Sequence, residues 1–106
     1  MNEATPAANN QSAEKMKQLI LEIVQALVDQ SDAVTVDLLE DRDLSVLQVR
    51  VASQDIGKVI GKQGRTARSL RTILGAASMK LQHRFALDII EDDEDEDEVD
   101  GNDAQQ

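Results

Sequence analysis

The chain has 106 residues, 21 acidic against 11 basic side chains, a formal net charge of −10, a single phenylalanine as its aromatic content and no cysteine. That length supports one small domain with a modest core, and the missing cysteine excludes disulfides and thiolate chemistry. No apolar run approaches the ~20 residues of a membrane span, and "MNEATPAANNQS" lacks the basic start and apolar stretch of a secretory signal, so a cytoplasmic protein without membrane contact is expected.

Residues 1–12 are rich in Ala, Asn, Thr and Pro without periodicity and read as a disordered lead-in. Ser12 is placed to cap a helix, in which Met16, Leu19, Ile20, Ile23, Val24, Leu27 and Val28 recur at helical spacing. This helix should end near Asp29 to Ser31. Val34, Val36 and Leu38 then alternate with polar residues as a half-buried strand. Glu40 to Asp43 make a polar turn, and Leu47, Val49 and Val51 form the hairpin partner. Ser53 is placed to cap a short helix, with Asp55 in its first turn where negative charge suits the dipole. Gly61 stops that helix and Gly64 opens a longer one reaching about Gln82. "FALDII" closes the order as a strand, with Phe85, Leu87 and Ile89 on one face. The expectation is an α+β domain, α-β-β-α-α-β, over residues 13–90.

The charge is unevenly placed. Residues 91–106 hold ten acids and no base, including the unbroken run Glu91 to Glu98. Eight adjacent carboxylates repel and almost nothing apolar follows, so this segment reads as a disordered tail. Residues 56–87 hold seven bases (Lys58, Lys62, Arg65, Arg68, Arg71, Lys80 and Arg84) and no acid. Such a block can be the electrostatic footprint of a phosphate backbone. Its centre is the turn Gly61-Lys62-Gln63-Gly64. Glycine at both ends permits a sharp turn and close approach of a ligand to the backbone. Gly64 should also leave the first N–H groups of the next helix open to an anion. At 100° per residue, Ile73, Ala77, Leu70, Leu81, Leu74 and Ala67 fall on one face of that helix, and Arg65, Arg68 and Arg71 on another. A phosphate chain passing over the turn would meet the arginines.

"VIGKQGRTARSL" resembles the signature of the KH domain, an apolar pair followed by G-x-x-G and a helix. The element order resembles the type II form of that fold, and a single KH domain of this size is similar to the bacterial KhpA-type RNA-binding proteins. The resemblance implies a three-stranded mixed sheet packed on three helices. It implies that Gly61, Lys62, Gln63 and Gly64 clamp the backbone of a few unpaired nucleotides. Arg65, Arg68 and Lys58 add charge, and Ile56, Val59, Ile60 and Leu70, with Val49 or Val51, line a groove for the bases. It further implies a homodimer or a complex with a second KH protein of the KhpB type, and a link to RNA chaperoning, post-transcriptional regulation and cell shape. Two features depart from the pattern: Ala67 stands where many KH domains carry isoleucine, and the acidic tail is not part of the fold.

No nucleophile–base pair or acid–base pair can be assembled from the sequence, so no enzymatic activity and no cofactor are expected. His83, the only histidine, lacks companion ligands for a metal and reads as a solvated residue at a helix end. Two function classes stay open: a module for single-stranded RNA, and an interaction subunit whose fold mainly docks another protein. The acidic segment likewise has two readings, a solubility tail or a chain that folds back on the basic block.

Overall fold

The computed structural model describes residues 4–91. Most of the acidic segment, 92–106, and residues 1–3 lie outside them. Six elements follow one another: α1 (Ala4–Leu27), β1 (Thr35–Glu40), β2 (Leu44–Arg50), α2 (Ile56–Ile60), α3 (Arg65–Leu81) and β3 (Arg84–Ile89). This is the α-β-β-α-α-β order expected from the periodicities.

The start of α1 differs from the expectation. The helix begins at Ala4, so Ser12 lies inside it rather than at its cap, and much of the expected lead-in is helical. Ala13, Ile20 and Val24 form the buried stripe of α1.

β2 is the centre of the sheet. It pairs antiparallel with β1, Val36 opposite Val49 and Leu38 opposite Leu47. It pairs parallel with β3, Leu47 opposite Leu87 and Val49 opposite Ile89. The parallel pair is possible because α2 and α3 provide the long crossover that such strands need. Inward-facing Val36, Leu47, Val49, Phe85 and Leu87 pack with Ile20, Val24, Val59, Leu70 and Leu74 in one core.

α3 is held against β3 by local hydrogen bonds. Ser78 Oγ donates to the Leu74 carbonyl at 2.8 Å and accepts the Phe85 N–H at 2.9 Å. Ile73, expected on the core face, is 45% exposed. Buried Ala67, Leu70 and Leu74 centre the covered arc away from it, which leaves Ile73 at the rim. His83 is also not simply solvated. Its Nε2 lies 2.8 Å from the hydroxyl of buried Ser45, and its ring packs edge-on against Phe85.

Candidate nucleic-acid interface

The turn between α2 and α3 owes its shape to three unusual backbones. Gly61 has φ 79° and ψ 169°, a region essentially reserved for glycine. A side chain there would also stand 2.8 Å from the backbone nitrogen of Thr66. Gln63 (φ 57°) and Gly64 (φ 72°) are both left-handed. For glutamine this conformation costs on the order of 1 kcal/mol.

The turn is braced from within. The Gly61 N–H donates to the Gly57 carbonyl at 2.8 Å and the Gly64 N–H to the Gly61 carbonyl at 3.0 Å. The Arg65 N–H donates to the Lys62 carbonyl. This corrects the expected anion site: the N–H groups of Gly64 and Arg65 are used by the turn. Lys62 is helical and Gln63 left-handed, a succession that aims neighbouring N–H groups into a concavity suited to an anion. The Lys62 and Gln63 side chains are exposed at the tip.

Beside the turn lies a cleft of about 410 Å³, lined by Ile60, Gly64, Ala67, Arg68, Arg71, Ile89 and Glu91. Small Ala67, nearly buried, forms part of its floor. Arg71 spans from α3 to the sheet, its Nε and Nη2 donating to the Leu87 carbonyl at 3.3 and 3.2 Å. β3 is an edge strand. Its Ile90 N–H bonds the Val49 carbonyl, so the alternation of a parallel ladder turns the N–H and C=O of Ile89 to the free edge, at the cleft.

The structure brings together Ile60, Gly64 and Arg68 of the expected set, with Lys62 and Gln63 on the adjoining turn. Arg65 is exposed on the first turn of α3 but does not line the cleft. Val59 and Leu70 do not belong to the groove: both are core residues, as are Val49 and Val51. Ile56 packs against that core from its edge. Lys58 points away from the cleft, its Nζ 3.5 Å from Asp29 and 3.6 Å from Asp55.

Asp55, expected as a dipole partner in the first turn of the short helix, is fully buried. Its Oδ2 accepts the Gln30 N–H at 3.0 Å, tying the end of α1 to the start of α2. Neither Ser53 nor Asp55 makes a side-chain cap. The Gln30 N–H holds the Asp55 carboxyl below the usual range against the opposing effect of burial, with the Asp29 N–H and Lys58 adding to it.

Sequence reasoning missed Ala67, Ile89 and Glu91 as lining residues. Ile89 shares the inward alternation of Phe85 and Leu87, and only the order of strands shows that it sits at an edge. Arg71 was legible as part of the arginine face, but its bond to Leu87 was not.

The family described as KhpA/KhpB, KH domain, matches residues 17–89. The chain belongs to the KhpA/KhpB family of KH domains. It is 52% identical over 75 residues to the RNA-binding protein KhpA of Treponema pallidum, a match covering 71% of this chain and 94% of the relative. It is 42% identical to that of Borreliella burgdorferi, covering 70% of this chain and 90% of the relative. The figure for Caldanaerobacter subterraneus is 43%, covering 71% of this chain and the whole relative. These relatives carry the name of an RNA-binding protein and not of an enzyme. No solved structure matches the chain. The fold is thus a type II KH domain, and the turn at Gly61–Gly64 carries the spacing G-x-x-G. Among the described residues no helix is long and apolar enough to cross a membrane.

Proposed function

We propose that this protein binds short single-stranded RNA through its G-x-x-G loop and the adjoining cleft. The observation that carries the reading is the braced left-handed turn, which presents the exposed Lys62 and Gln63 side chains beside a cleft containing Arg68. Phosphates would lie over the loop and meet Lys62, Arg65 and Arg68. Bases would enter the cleft between Ile60 and Ile89, and the free backbone edge at Ile89 would meet the polar edge of one base. With no aromatic side chain in the cleft, stacking platforms are lacking and sequence preference is weak. The shared name of the relatives supports RNA as the ligand. Family membership favours a cytoplasmic role as an RNA chaperone or post-transcriptional regulator.

A second reading, docking of another KH chain, is favoured by one observation. Ile73 and Met79 are 45% and 81% exposed on α3, away from the cleft. On this reading the protein forms a homodimer or pairs with a KhpB-type partner. The two readings can hold together.

The test of RNA binding is the double substitution Lys62→Asp with Gln63→Asp. Three units of charge change close to phosphate, each worth about 1 kcal/mol in water, which predicts a loss on the order of 100-fold in affinity. Both side chains are exposed, so the fold should survive by circular dichroism. A folded double variant that binds single-stranded RNA as well as wild type would refute the proposed site.

A further inference from the structure

We propose that the acidic segment beginning at Glu91 acts as an internal competitor, folding back into the arginine-lined cleft in place of RNA. The inference rests on the RNA-binding reading above for its consequence, but not for the contact itself.

The first support is where the segment starts. Glu91, first of eight consecutive acids, is itself a lining residue of the cleft, together with Arg68, Arg71 and Gly64. The run therefore leaves the domain at the proposed binding site. A tethered ligand this close competes at an effective concentration in the millimolar range. A polar chain of 15 residues, the length of 92–106, reaches about 20 Å on average. That is ample for a cleft that adjoins its root.

The second support is charge. Lys62, Arg65 and Arg68 have no carboxylate partner among the described residues, whereas Lys58 and Arg50 are already paired with aspartates. Carboxylate oxygens accept from the same guanidinium and backbone donors that a phosphate would use. Residues 91–106 carry ten carboxylates, no base and one large apolar side chain, Val99, so their own sequence provides neither counter-charge nor a core to bury.

The third support is that the shared domain does not require the segment. The family match stops at residue 89. Relatives are covered over 94% and 100% of their own length by alignments that use only 71% of this chain. The acidic run is an addition placed at the mouth of the site.

The experiment compares the full chain with a full-length variant in which Asp92, Asp93, Asp95 and Asp97 become Asn and Glu94, Glu96 and Glu98 become Gln. Amide chemical shifts are recorded without RNA at low and moderate salt, and affinity is then measured for a short oligouridine. The expected shift differences cluster at Lys62 to Arg71 and at Ile89, and fade as salt screens the contact. If the tail fills the cleft nine-tenths of the time, neutralising it raises RNA affinity about tenfold at low salt. Differences confined to residues beyond Ile90 would overturn the proposal, even with a gain in affinity, because general repulsion alone would then explain the gain. Clustered shifts with unchanged RNA affinity would also overturn it as competition. Clustered shifts with no RNA bound by either chain would leave the contact standing and refute the RNA reading instead.

Discussion

Lys58 and Lys62 stand four residues apart on the same short stretch, each the residue after a glycine, and the structure uses them oppositely. Lys58 turns inward along α2 to Asp55 and Asp29. Lys62 stands exposed at the tip of the turn, with no carboxylate near it among the described residues. One side of α2 is thus an internal anchor, where a buried carboxylate ties two helices together. The other side is an open cationic edge. A basic side chain serves a ligand only where the fold has not already supplied its counter-charge.

The largest expected effect separates the two glycines that frame the open edge. Gly61→Ala places a methyl group against Thr66 in a backbone region that is essentially glycine-only. It should cost about 2–4 kcal/mol, from strain and overpacking together. Gly64→Ala meets open space and keeps only the left-handed penalty, about 1–2 kcal/mol. Urea denaturation of the two variants measures the difference. Equal losses would show that Thr66 does not confine the turn.

On the anchor side, Asp55→Asn removes the charge that accepts the Gln30 N–H. Because the carboxyl is held low in the folded state, its stabilisation is fully present above the unfolded value of about 3.9 and is lost as pH falls through the lower folded value. The variant should therefore be less stable than wild type at neutral pH, and the gap should close below about pH 4. Thermal melts across this range check it, and a gap that persists at low pH would assign the loss to packing rather than charge.

The smallest effects compare the lysines directly. Lys62→Ala should weaken binding to every RNA sequence by about fivefold, from about 1 kcal/mol of lost charge interaction. It should also lower the salt slope by about one contact. Lys58→Ala should leave that slope unchanged. A slope that falls for Lys58→Ala would mean that Lys58 leaves its aspartates for phosphate.

Much of this molecule was legible in the chain alone. Alternation at Val34 to Leu38 and helical spacing at Leu70 to Leu81 specify strand and helix because side-chain direction repeats with backbone geometry. The G-x-x-G turn was legible because its backbone angles demand glycine at Gly61 and favour it at Gly64. The charge separation between residues 56–87 and 91–106 is likewise a property of the sequence.

What needed the tertiary structure was the neighbour of each side chain. Val59 and Ile60 are adjacent and both aliphatic, yet Val59 is fully buried in the core and Ile60 lines the cleft. Periodicity assigns a residue to a face and does not say what covers that face. Asp55 looked like a helix-start residue, and only the approach of Gln30, 25 positions away, makes it an anchor. Ile89 and Glu91 belong to the cleft because β3 lies at the sheet edge. Strand order comes from the way α2 and α3 cross the sheet, a relation between distant segments that no local pattern encodes.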